Sequence, residues 1–273
     1  MSLKKQPFFF IFFSVSFFAF YLFISCRLYH GQLNLVQPAA LSGWSLTAFI
    51  LFLAGFNLRK KLSMIPLGKA STWLILHVVG GLLTLGFFWL HTRRLWPQGF
   101  YEQWLAGLFY FISLNGLFGY FLQRIYPSRL TQTGIEIIYE RIPAEIAEIR
   151  SRVEALVQEC TRETASDTLA QYYFETFLWF FRKPRFFSSH ALGGKKASHW
   201  VRYHLSAVKR YLNQPECVYL EKIKECATLK NKIDFHYAAQ SLIKKWLLVH
   251  VPLAALLVVL MGWHILLVHI YLL

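Results

Sequence analysis

Acidic side chains are almost absent from most of this sequence. Of 14 Asp and Glu in 273 residues, 13 fall between Arg124 and Lys245, and Glu102 is the only other. Charged residues of either sign make up 16%, well under the roughly one quarter of an ordinary soluble domain. Cysteine is also scarce: Cys26, Cys160, Cys217 and Cys226, with no CxxC and no CxxCH. That argues against covalent haem attachment, thioredoxin-type chemistry and a zinc knuckle, and the four are read as ordinary reduced thiols. No internal repeat and no low-complexity tail is present.

What replaces charge is apolar surface. Hydrophobic residues reach 56% and aromatic residues 18%, yet the formal charge is +15. Nucleic-acid binders can be this basic, but they do not carry apolar runs of about 18 residues or more. No nucleic-acid partner is therefore expected. The basic excess is read as attraction to anionic lipid and as control of topology.

Five apolar stretches predict about five transmembrane helices. They run from Pro7 to Cys26, Ser42 to Asn57, Thr72 to His91 and Glu102 to Leu122, and from Trp246 to the C-terminus. The clearer ones have about 20 residues, which match a hydrocarbon core about 30 Å thick. The first could pass for a signal peptide, but its apolar run of about 19 residues is too long for one and no A-x-A-like site follows. It is read as a retained helix. With the N-terminus inside, the inner flanks hold Lys4, Lys5, Arg59, Lys60, Lys61, Lys69, Arg124, Arg129, Lys244 and Lys245. The outer flanks hold only Arg27, Arg93 and Arg94. This imbalance places the N-terminus in the cytoplasm and the C-terminus outside, in a bacterial inner (plasma) membrane.

The expected organisation is all-α: transmembrane helices one to four over 1–123, a cytosolic or interfacial helical insert over 124–245, and helix five over 246–273, packing with 1–123. In the insert, Ile142, Ile146, Ile149, Val153, Leu156 and Val157 recur at helical spacing. With Pro143 in the first turn, they predict an amphipathic helix over about 143–160. The aromatic stretch from Tyr172 to Phe187 reads as a helix lying in the membrane interface. Ser188 to Lys196, with Gly193-Gly194, reads as a loop. Helices follow at about 198–212, 215–230 and 234–245.

Ionisable groups within apolar spans are functional candidates. The third span holds His77 and His91, and the fifth holds His250, His264 and His269. Both 77–91 and 250–264 are separations of 14 residues, which is nearly four turns and about 21 Å of rise. Each pair therefore lies on one helix face. The two helices run in the same direction, so His77 meets His250 at the inner depth and His91 meets His264 at the outer depth. Two imidazoles per level are what a low-spin haem iron needs as axial ligands. The sequence thus predicts two b haems, with those four histidines as the metal ligands. Arg59, Lys60 and Lys69 near the inner level, and Arg93 and Arg94 near the outer, either pair with haem propionates or only set topology. Gly80, Gly81 and Gly86 either let a flat macrocycle approach the backbone or serve helix packing. Trp73, Trp89, Trp246 and Trp263 read as interfacial belt residues. His269 and His30 read as local hydrogen bonders or headgroup anchors. His190, His199, His204 and His236 have no ligand-like spacing. The 14-residue offset excludes a zinc or proton-relay site within either same-helix pair, though not at each level taken separately.

The paired histidines on helices three and five resemble the transmembrane haem domain of ferric reductases and NADPH oxidases. The resemblance covers roughly 42–122 and 244–273. It implies that His77 and His250 ligate an inner haem, and His91 and His264 an outer one. Ferric reductases continue into flavin and nicotinamide domains, whereas this sequence has no GxGxxG loop and stops soon after His269. The resemblance therefore implies an electron conduit, the membrane electron-transfer subunit of an oxidoreductase, with lipid and a redox protein or quinone as partners. Two alternatives stay open: a transporter or channel subunit with histidine relay or metal sites, and a membrane anchor for the insert.

Overall fold

A computed structural model describes residues 6–33, 38–57 and 70–272. These residues are helical and contain no strand. The helices are α1 (Gln6–Leu33), α2 (Pro38–Ala54), α3 (Ala70–Thr92), α4 (Phe100–Thr131), α5 (Ile142–Thr164), α6 (Thr168–Tyr172), α7 (Leu178–Arg182), α8 (Phe187–Ala191), α9 (Lys196–Val208) and α10 (Gln214–Leu272). Contacts divide the chain into one unit of residues 1–121 with 247–273, and a second of residues 122–246.

The first unit is built on aromatic packing. Phe87 of α3 is fully buried. It stacks on Phe49 of α2 at 5.2 Å and meets Tyr21 of α1 edge-on at 5.6 Å. Its neighbour Phe88 stacks on Phe109 of α4 at 4.6 Å. Leu257 and Met261 of α10 complete the same cluster. The outward faces are apolar too: Phe12, Val15, Leu82, Leu114, Leu248 and Val259 are all exposed, an arrangement that water would penalise and lipid would not. Among the described residues, three helices are long and apolar enough to cross a membrane: α3, α4 and the apolar part of α10. Residues 11–27 and 40–54 form shorter apolar helices. α3 ends where Arg93 turns left-handed, at φ 52. Inside α10, Pro252 has no N–H to give the carbonyl one turn earlier.

The second unit is a water-protein core by its pattern. The apolar face of α5 (Ile142, Ile146, Ile149, Val153, Val157, Cys160) packs against Val201, Leu205 and Val208 of α9 and Leu220, Ile223 and Ala227 of α10. The helix expected over 143–160 is therefore present, extended to Ile142–Thr164 with Pro143 in its first turn. Three expectations need correction. The stretch expected as a loop from Ser188 to Lys196 opens inside α8 (Phe187–Ala191). The aromatic stretch does not lie flat with its rings outside: Tyr173, Phe177, Phe180 and Phe181 are buried in this core, while Phe174 and Trp179 stay exposed. The cover comes from α5, α9 and α10, and no local pattern announces it. The break expected between 230 and 234 is also absent, because α10 runs through it. Lys230 and Asp234 sit one turn apart and pair at 2.6 Å, both fully buried. Lys230 also donates to the Lys183 carbonyl at 3.0 Å and lies 4.2 Å from the Phe180 ring centre. What reads as a polar interruption is a buried ion pair inside a helix, made through Asp234 Oδ2, while Oδ1 is buried without a hydrogen bond.

Candidate functional site: two histidine pairs

His77 and His91 stand on α3, and His250 and His264 on α10. The helix period puts each same-helix pair on one face about 21 Å apart. Across the helices, His77 and His250 bring their ring centres to 6.5 Å with planes at 72°. His91 and His264 do so at 6.4 Å with planes at 89°. The structure therefore brings the four histidines together as two pairs, in the combination that the spacing predicts.

The separation has a chemical meaning. A ligating imidazole nitrogen lies about 2.0 Å from its metal and about 1.1 Å from its own ring centre, so two rings on opposite sides of one ion have centres roughly 6.2 Å apart. Both observed distances fall close to that value. A haem iron already has four nitrogens from its macrocycle and asks the protein for two. Among the described residues, no group of three or more His, Cys, Asp or Glu is gathered at one point, whereas a closed zinc site needs about four protein ligands. The donor set at each level thus fits a haem better than a bare ion.

The surroundings are those of tightly held rings. Gly43 of α2 approaches His91 so closely that a Cβ there would stand 3.0 Å from Cε1 and 3.2 Å from Nδ1. Ser42, itself buried, places Oγ 3.4 Å from His91 Nδ1. Tyr101 of α4 lies nearly parallel to His264, at 6.3 Å and 16°, and its hydroxyl donates to the Leu260 carbonyl at 2.5 Å. At the other level, Phe56 lies 4.9 Å from His77, and a Cβ on Gly116 would come within 3.5 Å of His250. The Leu53 backbone also lies beside His77, and His77 Nδ1 is buried without a hydrogen bond of ordinary geometry.

The other candidate residues fare differently. Arg93 and Arg94 follow α3 directly beyond His91 and are exposed. Arg59 and Lys60 lie outside the described residues, as does Lys69. Gly80 and Gly86 take the packing role, since a Cβ there would stand 3.1 Å from Leu53 and from Tyr21 respectively. Gly81 has nothing within 4 Å of its Cβ position. His269 donates from Nδ1 to the Ile265 carbonyl at 2.8 Å, the local bond expected of it. Ser42, Gly43, Phe56, Tyr101 and Gly116 escape a reading of the sequence. A serine or tyrosine within an apolar span, or a glycine that permits close approach, is the signal these residues give, and none says which ring it meets. Compared with known proteins, the chain matches no family model, no curated protein and no solved structure.

Proposed function

We propose that this chain is a b-type membrane cytochrome that holds two haems between α3 and α10. One observation carries the reading: two histidine pairs, on the same two helices and 14 residues apart on each, both with ring centres 6.4–6.5 Å apart, close to the separation two imidazoles would have if both held one iron. Bound there, the two haems would supply one-electron oxidation and reduction at two depths. The residues would do the rest. His77 and His250 would hold one group, and His91 and His264 the other. Gly43 and Gly116 would let the backbone of neighbouring helices close on the rings. Phe56, Phe87 and Phe88 would keep water from the space around them.

On this reading α1 to α4 and the apolar part of α10 form a bundle of five spans in a bacterial plasma membrane. The N-terminus and the 124–245 insert are cytoplasmic and the C-terminus is outside. Arg59, Arg93 and Arg94 would serve propionates at the two surfaces. The arrangement is like the transmembrane part of ferric reductases and NADPH oxidases, acting as an electron conduit within an oxidoreductase. A redox protein or a quinone would exchange electrons with it. Single replacement of His77 or His91 by Ala tests the proposal, by haem count in the purified chain. Each variant is expected to keep one haem of two. Full haem content in either would overturn the assignment of that histidine.

A further inference from the structure

The His91–His264 pair is held from both sides. Resting on the two-haem reading, we infer that Tyr101 and Ser42 are positioning residues that keep the His264 and His91 imidazole planes crossed. The two planes meet at 89°. Two free imidazoles on one iron have no strong reason to hold that angle, so neighbours must fix it. For His264 the neighbour is Tyr101, whose ring lies within 16° of parallel to it. That ring, 6.3 Å away centre to centre, bounds the space in which His264 can turn. The Tyr101 hydroxyl grips the Leu260 carbonyl, one turn before His264, so the ring and the backbone beneath it are fixed by the same side chain. For His91 the neighbour is α2. Ser42 Oγ reaches Nδ1, and the Gly43 backbone lies against the same edge of the ring. An imidazole that ligates through Nε2 carries its proton on Nδ1, so the bond runs from His91 to Ser42. The other pair is flanked by different neighbours, Phe56 and the Leu53 backbone beside His77 and Gly116 beside His250.

The orientation of two axial imidazoles is read directly by electron paramagnetic resonance of the low-spin ferric state. Parallel planes split the iron d orbitals unequally and compress the spread of g values. Crossed planes cancel that splitting and give a strongly anisotropic signal. The experiment uses the full chain with His77→Ala, which leaves the His91–His264 centre, and adds Tyr101→Leu, Tyr101→Phe or Ser42→Ala. The parent is expected to give the anisotropic signal. Tyr101→Leu and Ser42→Ala should each move the largest g value toward the parallel-plane range, while Tyr101→Phe, which retains the stacked ring, should keep it. In His91→Ala, which leaves only the other centre, the same additions should change nothing. A haem-loaded parent whose signal is indifferent to Tyr101→Leu and Ser42→Ala, or a change of equal size at both centres, overturns the inference and leaves the two-haem reading standing. Absence of haem from the unsubstituted chain overturns both. Should Tyr101→Leu fail to accumulate, Ser42→Ala decides alone.

Discussion

The imidazoles of His77 and His250 lie 6.5 Å apart, centre to centre, on two helices far apart in the chain. The same relationship recurs 14 residues further along both helices, at 6.4 Å. A single such pair is an ordinary helix–helix contact. The repetition, on one face of each helix, is the observation on which the proposed two-haem reading rests.

Gly43 makes the most local prediction. A Cβ at this position meets His91 at 3.0 Å, a distance that forces the ring or the helix to move. Gly43→Ala is expected to weaken or lose the haem at that level, and Gly43→Leu to lose it, with the other retained. Gly81→Ala, placed where nothing lies within 4 Å, should leave both. Haem counts and reduced-state spectra of the three variants check this. Equal loss in Gly43→Ala and Gly81→Ala would mean general disruption.

The buried Lys230–Asp234 pair predicts asymmetric costs. Lys230→Met leaves a carboxylate buried without its partner, which costs about 3–5 kcal/mol. Replacing both residues, as in Lys230→Met with Asp234→Leu, removes the stranded charge and should cost less than Lys230→Met alone. Hydrogen exchange of residues 180–240 in the full chain measures the difference. Additive losses would show that the two side chains act independently.

Acid should loosen the second unit. Burial lowers the His190 pKa to about 4, with the Lys230 charge adding to it, and burial also lowers those of His204 and His236. Folded His190 therefore holds fewer protons than unfolded His190 between about 4 and 6.5, His204 and His236 act in the same direction below 6.5, and stability rises with pH through that window. Asp234 works the other way: burial raises it to about 6, so the folded state holds the extra proton between 3.8 and about 6. Three imidazoles oppose one carboxyl, and Lys230, lowered by burial to about 8, stays mostly protonated across this window. Hydrogen-exchange protection of residues 187–240 should fall from pH 7 to pH 5. Protection that rises on acidification would contradict the assignment.

Topology gives an independent prediction. Gly193 and Gly194 are exposed, so a short tag inserted between them should be tolerated. It should be reached by a membrane-impermeant reagent only after the cytoplasmic face is opened. Labelling of intact cells from outside would reverse the orientation.

Much of the site is legible in the sequence, for a physical reason. A helix has one period, so 14 residues fix both face and depth, and His77, His91, His250 and His264 declare themselves together. Ser42, Tyr101 and Phe56 do not, because their roles depend on which helix lies beside which. Gly80 and Gly86 show the limit from the other side: glycine signals close approach, but not whether Leu53, Tyr21 or a ligand approaches. In the second unit, α5 is legible from its single apolar face. The stretch around Tyr173 and Phe180 is apolar on nearly every side, and only three surrounding helices decide that it is core. Lys230 and Asp234 look like a surface break until their partners in space are known.

The most direct test is a reduced-minus-oxidised absorbance spectrum of the detergent-purified full chain, with haem counted per chain by pyridine haemochrome. Two b haems per chain are the predicted result. A colourless protein from cells able to supply haem would contradict the central claim, and would leave the histidine pairs to a proton-relay or metal-binding transporter, or the spans to an anchor.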